Sequence, residues 1–194
     1  MTDLVLGSAS PRRAGLLAQL GVAFTQRPAA IDETPGADEI PASYVQRMAV
    51  EKAAALRAAG VEGVLLTADT TVVVDNESLG KPVDPDDART MLARLSGRSH
   101  DVYTAVCVNS ALGNSHVLVS THVEFMTLTA SLIDAYLATE EPWDKAGAYA
   151  LQGSGGSFVR RIDGSVSNVI GLPLVETREL LAAIGFDVSL AAPR

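Results

Sequence analysis

The N-terminal segment constrains the fold most strongly, because an apolar run leads directly into a turn and then a helix. Leu4-Val5-Leu6-Gly7 predicts the first strand, and residues 14–20 predict a helix. In the turn between them, Ser10 is a favourable N-cap and Pro11 suits the first helical position. A strand-to-helix turn built from small residues leaves backbone N–H groups beside the positive end of the helix dipole. Phosphate groups bind readily at such a place.

Two arginines in the same turn leave two interpretations open. Arg12 and Arg13 could be incidental side chains at the start of a solvated, capped helix. Alternatively, their forked guanidinium donors match the oxygens of a phosphate group, and the turn is part of a polyanion site. The turn by itself supports both interpretations about equally, so the remainder of the chain has to decide.

Charge restricts the class of ligand. The chain has 194 residues, of which 15 are Lys or Arg and 23 are Asp or Glu, giving a formal net charge of −8. An acidic surface repels nucleic-acid polymers and anionic membranes, so we expect neither as a partner. A local basic cluster can still hold a small polyanion, and a divalent metal ion suits an acidic protein.

Length and the remaining composition predict one domain in a reducing compartment. The chain is 47% hydrophobic, enough for a substantial core, and we predict a single domain over 1–190 with a frayed tail at 191–194. Its single cysteine, Cys107, cannot form an internal disulfide, which favours the cytoplasm. We identify no signal peptide and no apolar window long enough to span a membrane.

The order of the elements predicts an α/β fold around a mixed sheet. Helical patterns occupy residues 41–59, 84–95, 129–138 and 173–184. Strand patterns occupy residues 22–24, 64–74, 102–108, 117–126, 149–151 and 158–162, with a hairpin turn at 112–115. Strands and helices alternate early in the chain and a hairpin follows. This order favours a mixed sheet over a purely parallel one.

Asp69 is the foremost candidate for chemistry, since it interrupts an apolar strand. Charged side chains are rarely buried without a partner. One interpretation is a structural carboxylate that accepts hydrogen bonds in a turn. The other is a carboxylate at a strand end that faces a cleft, as a general base or a metal ligand.

Other polar side chains are weaker candidates when read alone. Glu33 would ordinarily be a solvated loop residue, and Lys52 a surface lysine of an alanine-rich helix. Lys81 stands between Gly80 and Pro82, which restrict the backbone on both sides, but this pair is not a P-loop. The segment with Lys145 and Gln152 is either a flexible glycine-rich turn or a pocket wall that reaches a ligand.

The three histidines form no recognisable metal motif. His100, His116 and His122 are therefore expected to be ordinary surface or sheet-edge residues. Ser8 and Ser10 lack a convincing His/Asp pattern, so a hydrolase triad is not predicted.

Taken together and in order, several short motifs resemble the Maf family of nucleoside triphosphate pyrophosphatases over residues 4–182. The matching segments are Ser8-Ala9-Ser10-Pro11-Arg12-Arg13, Ala68-Asp69-Thr70, Leu79-Gly80-Lys81-Pro82, Leu95-Ser96-Gly97, Asp144-Lys145-Ala146-Gly147-Ala148-Tyr149, Gln152-Gly153 and Asn168-Val169-Ile170-Gly171-Leu172-Pro173-Leu174. The resemblance implies a fold like that of the inosine-triphosphate pyrophosphatases: a mixed central sheet flanked by helices, in two lobes with a central cleft. It also implies a cytoplasmic enzyme, often a homodimer, that uses Mg²⁺ or Mn²⁺ to hydrolyse a nucleoside triphosphate to the monophosphate and pyrophosphate.

The resemblance also assigns roles, position by position. Asp69 corresponds to the family's catalytic proton acceptor, and with Glu33 it is expected to hold the metal. The polar residues expected to line the phosphate and metal site are Ser8, Arg13, Glu33, Lys52 and Lys81. Positions that distinguish the branch acting on dTTP and UTP are matched by Arg12, Thr70 and Gln152.

Two alternatives remain at this stage. A sister branch acting on 7-methyl-GTP typically has Cys-Ala-Gly and Glu-Gly where this chain has Lys145 and Gln152. A catalytically silent nucleotide-binding regulator, for example of cell division, is less favoured, because a pure binder gains little from Glu33 and Asp69. The chain departs from the family pattern mildly, at Thr67, where glycine is common, and at Trp143.

Overall fold

The computed structural model describes residues 3–188, so the tail predicted at 191–194 lies outside the described residues. The strands are β1 Leu4–Leu6, β2 Thr25–Gln26, β3 Val64–Val74, β4 Glu77–Leu79, β5 Ser99–Ser110, β6 Gly113–Phe125 and β7 Val159–Asp163. The α-helices are α1 Pro11–Ala18, α2 Pro41–Ala58, α3 Pro85–Leu95, α4 Ala130–Leu137, α5 Val166–Ile170 and α6 Leu174–Ala183. Short 3-10 helices cover Pro142–Asp144, Ala146–Ala148 and Ser154–Phe158.

The strands form one mixed sheet, which confirms the predicted α/β class. Within residues 3–188 the order is β2-β1-β3-β5-β6-β7, and β4 pairs with β3 outside this path. Strand β1 runs parallel to β2 and to β3, whereas β4 is antiparallel to β3 and β7 to β6. Parallel neighbours therefore come from the early alternation of strands and helices, and antiparallel neighbours from the later hairpins.

The chain divides into two compact units. Among the described residues, unit 1 contains 3–69, 104–119 and 171–188; unit 2 contains Thr70–Tyr103 and Ser120–Ile170. Each unit has its own apolar cluster. That of unit 1 includes Val5, Leu56, Val61 and Leu65; that of unit 2 includes Leu92, Phe125, Tyr149 and Phe158.

Helix α2 shows how packing presents a polar residue in unit 1. It begins with Pro41 at the first helical position, and its buried side chains recur at helical spacing. They are Val45, Met48, Ala49, Lys52, Ala53 and Leu56. Lys52 thus belongs to the buried face and is only 8% exposed, contrary to the default of a surface lysine.

Strand β3 is continuous from Val64 to Val74, so Asp69 lies within the strand and not at its end. Thr67, one of the departures from the family pattern, is fully buried and donates from Oγ1 to the carbonyl of Ala49 in α2, at 2.6 Å. Its Cγ2 methyl fills the space beside Gly7, where an added Cβ would lie only 2.5 Å away. Thr67 therefore joins β3 to α2.

Two short strand predictions were wrong. The strand expected at 22–24 is displaced to Thr25–Gln26, and residues 149–151 form no strand. Ala148 has a φ of 58°, and the ring of Tyr149 then packs edge-on against Phe125 at a centroid distance of 4.8 Å. Tyr149 itself keeps an extended backbone, with a φ of −143° and a ψ of 154°, but it pairs with no strand within residues 3–188.

The expectation that His100 lies at the surface was also wrong. His100 is 2% exposed, and its Nε2 lies 3.0 Å from the hydroxyl of Tyr149. Burial lowers the pKa of His100 to about 4, since desolvation disfavours the charged ring. His100 is therefore a neutral core residue of unit 2.

Substitution of Gly147 tests how tightly the apolar core of unit 2 is packed. It has a φ of 70°, and a Cβ there would lie 2.9 Å from Val72 Cγ2. Gly60 has a φ of 75° with nothing within 4 Å of an added Cβ, so it is a matched control for backbone strain.

We expect Gly60→Ala to lower the free energy of unfolding by about 1 kcal/mol, the cost of a left-handed alanine. Gly147→Ala should cost about 1–3 kcal/mol more, because the methyl group also overpacks the core. Urea unfolding of both variants checks this. Equal losses would show that Val72 moves aside freely.

Candidate active site

The predicted turn of the N-terminal segment is formed as expected. Ser10 caps α1 by accepting a hydrogen bond from the N–H of Arg13 at 3.4 Å, and Pro11 occupies the first turn. The N–H of Ser10 donates to Oγ of Ser8 at 3.2 Å, and Ser8 is itself buried. Amide Nε2 of Gln26 donates to the carbonyl of Ser8 at 3.2 Å. The turn is thereby held to β2.

Arg13 is fixed on both sides, whereas Arg12 lies beside it at the helix start. The guanidinium of Arg13 donates from Nε to the carbonyl of Gly171 at 2.9 Å and from Nη1 to Ser8 Oγ at 3.4 Å. Burial lowers the pKa of Arg13, and the positive charge of Arg12 lowers it further. The negative charges of Asp69 and Glu33 act in the opposite direction. Arginine still remains a cation at neutral pH. Arg13 therefore presents an oriented positive charge near both candidate carboxylates.

Lys52 joins the two candidate carboxylates. Its Nζ lies 2.6 Å from Asp69 Oδ1 and 2.7 Å from Glu33 Oε1. The side chains of Lys52 and Asp69 are 10% and 12% exposed, while that of Glu33 is 53% exposed. A buried charge requires such a partner. Asp69 is thus partnered by an ammonium group, and neither of its two predicted settings, a turn or a strand end, is what the structure shows.

Tyr44 lies on helix α2 and is affected by the same two carboxylates. Burial raises the pKa of Tyr44 to about 12, and the negative charges of Asp69 and Glu33 act in the same direction. The hydroxyl therefore stays protonated at physiological pH, and it donates to the backbone carbonyl of Glu33 at 2.9 Å. Tyr44 was not among the predicted site residues, although it lies eight residues before Lys52 on a helix and hence near the same face.

The donor set of this cluster fits a divalent cation. Mg²⁺ is commonly held through one or two carboxylates together with substrate phosphates and water. Glu33 and Asp69 both reach one nitrogen atom, so they are close enough to share a cation. Among the described residues, no group of three or more His, Cys, Asp or Glu side chains could hold a metal.

The remaining predicted residues belong to unit 2. Thr70 follows Asp69 in β3 and is half-buried, and Lys81 is exposed after Gly80. The carbonyl of Gly80 accepts from the N–H of Gly147 at 3.0 Å, which brings the Lys81 segment against the loop that contains Lys145. Gln152 is exposed in a turn closed by the N–H of Gly153 on the carbonyl of Ala150 at 3.4 Å.

Lys145 and the glycine-rich loop are both bound to Glu141. Glu141 was not among the predicted site residues. Lys145 Nζ donates to the carbonyl of Glu141 at 3.0 Å and pairs with Asp144. The carboxylate of Glu141 accepts from the N–H groups of Ser154 and Gly155 at 2.6 and 3.2 Å. These two backbone donors lower the pKa of Glu141, that of Ser154 contributing most. The loop following Gln152 is thus held in place and is not a loose turn.

The chain is similar to known proteins along nearly its whole length. The family described as Maf-like protein matches residues 3–184. A protein named dTTP/UTP pyrophosphatase from Anaeromyxobacter dehalogenans (strain 2CP-1) is 54% identical, covering 98% of each chain. Proteins of the same name from Shewanella sp. (strain MR-7) and Myxococcus xanthus are each 51% identical, covering 94% and 96% of this chain and 98% and 95% of theirs.

Among solved structures, a HAM1 protein from Coxiella burnetii aligns with a TM-score of 0.49 and 16% identity, over 95% of this chain and 98% of that one. The family match covers more than nine-tenths of the sequence and includes the capped turn, β3 with Asp69 and the loop with Lys145 and Gln152. This protein belongs to the Maf family.

Proposed function

We propose that the protein is a nucleoside triphosphate pyrophosphatase that converts dTTP and UTP to their monophosphates and pyrophosphate. The observation that carries the proposal is the cluster of Lys52 between Glu33 and Asp69, with the charge of Arg13 nearby. The names of relatives at 51–54% identity support the choice of substrate. In the cell, such an enzyme would remove nucleotides that should not be incorporated into nucleic acids.

The reaction places a polyanion beside these groups. Water attacks phosphorus, the bond between the α- and β-phosphates breaks, and pyrophosphate leaves. Arg13 and Lys52 offset negative charge on the phosphates as it redistributes in the transition state. Ser8 orients Arg13 through Oγ. By the family resemblance, Lys81 and Lys145 are also proposed to bind phosphate. The cations on the chain's own residues thus supply electrostatic stabilisation of the transition state.

Asp69 has two possible tasks in this reaction. It could accept a proton from the attacking water through Oδ2, since Oδ1 holds Lys52. It could instead act with Glu33 as a ligand of Mg²⁺ or Mn²⁺. When bound, such a cation supplies charge neutralisation and lowers the pKa of a coordinated water. Both tasks require the ionised carboxylate, and the ammonium of Lys52 keeps a compensating charge beside it.

Selectivity for the base is proposed to come from Gln152, Arg12 and Thr70. A glutamine amide offers one donor and one acceptor face, which can pair with the O4 and N3–H edge that thymine and uracil share. Cytosine reverses this edge and would leave the amide unsatisfied. Arg12 is proposed to contact the base or the phosphates of the nucleotide.

We also propose partners and a cellular location for the enzyme. The net charge of −8 disfavours nucleic-acid polymers as partners. No helix within residues 3–188 has both the length and the apolar character required to cross a lipid bilayer. We propose a cytoplasmic homodimer, on the strength of the family resemblance and the single buried cysteine.

With Mg²⁺ or Mn²⁺, the purified protein should convert dTTP and UTP to dTMP and UMP and release pyrophosphate. Anion-exchange chromatography of the products measures this directly. Appearance of diphosphates with stepwise release of orthophosphate would rule out the proposed reaction. Turnover of 7-methyl-GTP alone would assign the chain's activity to the other branch.

Asp69→Asn should reduce kcat by at least about 10²-fold, the scale for loss of a general base. The variant should remain folded, because asparagine still offers an oxygen to Lys52. Steady-state kinetics and circular dichroism check both statements. As a matched control, Asp134→Asn removes a carboxylate paired with Arg89 at the surface of unit 2 and should leave kcat unchanged. Full activity of Asp69→Asn would restrict Asp69 to pairing with Lys52.

Gln152→Glu should lower kcat/KM for dTTP and UTP more than for other triphosphates, because a carboxylate cannot donate to O4. The measurement is a panel that includes CTP, GTP and 7-methyl-GTP. An equal loss for every substrate would show that Gln152 maintains the loop and does not select the base.

A further inference from the structure

Glu33 lies in a long segment without regular secondary structure. Strand β2 ends at Gln26 and α2 begins at Pro41, and residues 27–40 form neither helix nor strand. Irregular segments of this length in compact proteins usually have a function or need specific anchoring. The Glu33 side chain is half exposed, so packing alone does not determine where its carboxylate lies.

Helix α2 presents a polar stripe to this segment. Tyr44, Arg47 and Glu51 follow at intervals of three and four residues, and Lys52 is next to the last of them. Residues at these intervals lie on one side of a helix. Lys52 projects about 100° further round the helix than Glu51 and belongs to the buried face of α2.

Two side chains of the stripe hold two consecutive peptide groups, the one that links Glu33 to Thr34 and the one that follows it. The hydroxyl of Tyr44 donates to the carbonyl of Glu33 at 2.9 Å. Nη2 of Arg47 donates to the carbonyl of Thr34 at 3.1 Å. The guanidinium of Arg47 also lies 5.7 Å from the centre of the Tyr44 ring, so the two anchors support each other.

Arg47 is itself fixed by two carboxylates. Its Nε and Nη2 each lie 2.7 Å from an oxygen of Glu39, a bidentate pair, and Nη1 lies 3.2 Å from Glu51. Glu39 in turn accepts from the N–H of Gly36 at 2.9 Å. Arg47 thereby holds the segment at Thr34 and again at Glu39, and the intervening residues are closed into a loop against α2.

This geometry ties the position of Glu33 to the position of Lys52. Both the anchors and Lys52 project from one rigid helix, and Glu33 Oε1 reaches Lys52 Nζ at 2.7 Å. Without the anchors, the Glu33 backbone could move while its exposed side chain gained solvent. The distance between the carboxylates of Glu33 and Asp69 would then no longer be fixed.

We propose that Tyr44 and Arg47 are positioning residues that hold Glu33 beside Lys52 and Asp69 and so set how tightly this carboxylate pair binds a divalent cation. This inference rests on the proposed function for its metal, and on the geometry of unit 1 for the anchors. Groups that orient a metal ligand typically change metal affinity by about 10- to 100-fold when removed.

The test uses Tyr44→Phe, which removes one hydroxyl, and Arg47→Gln, which removes the bidentate pair. The matched control is Arg89→Gln, since Arg89 also binds two carboxylates, Asp134 at 2.6 Å and Asp86 at 3.2 Å, but in unit 2. Three quantities are measured on the full chain: amide hydrogen exchange in residues 33–39, Mn²⁺ binding by electron paramagnetic resonance without nucleotide, and the Mg²⁺ concentration for half-maximal dTTP hydrolysis.

We expect Arg47→Gln to accelerate exchange in residues 33–39 and to weaken Mn²⁺ binding about 10-fold. Tyr44→Phe should weaken it about threefold, the scale of one hydrogen bond. The half-maximal Mg²⁺ concentration should rise in parallel, while kcat at saturating Mg²⁺ stays within about threefold. Arg89→Gln should change none of these quantities.

Faster exchange with unchanged Mn²⁺ and Mg²⁺ dependence would overturn the proposal, because the anchors would then only order the loop. Absence of Mn²⁺ binding to the unsubstituted protein would also overturn it. If both variants bind Mn²⁺ more weakly and the unsubstituted protein hydrolyses no nucleoside triphosphate, the positioning role stands and the proposed function fails.

Discussion

The ammonium group of Lys52 lies within ion-pair distance of two carboxylates, and the arrangement of unit 1 follows from the need to accommodate that charge. Burial of an unpaired ammonium or carboxylate is costly, and loss of one partner exposes the other to that cost. Helix α2 supplies the lysine, β3 supplies Asp69, and the segment after β2 supplies Glu33. Each of these three elements, which are distant in sequence, therefore supplies one charge of the same cluster. The same arrangement places the carboxylates of Glu33 and Asp69 close enough to share a cation.

Local patterns predicted the elements that local interactions determine. The cap of α1 by Ser10 follows from hydrogen bonds within three residues, and the mixed sheet follows from the order of strands and helices. The burial of Lys52 was also readable in principle. It occurs three and four residues after Ala49 and Met48, on the apolar side of α2, so a lysine in that register signals a buried partner.

Other features depend on residues far apart in sequence and could not be predicted from local patterns. Residues 149–151 form no strand although Tyr149 itself has an extended backbone, and its ring packs with Phe125 and the buried His100. Glu141 fixes a loop thirteen residues later through two backbone N–H groups. Polar anchors of this kind look like solvated charges in a sequence, since nothing near them in the chain shows which backbone they bind.

The contact between Thr67 and Gly7 has a consequence for divergence within the family. A side chain at position 7 is blocked by two groups, the methyl of Thr67 at 2.5 Å and Cδ1 of Leu56 at 2.7 Å. Alanine at 67 would remove only one of the two obstructions and would also free the carbonyl of Ala49 that Thr67 binds. Replacement of Gly7 therefore requires both the methyl of Thr67 and the side chain of Leu56 to shift or to become smaller, so these three positions are coupled in divergence.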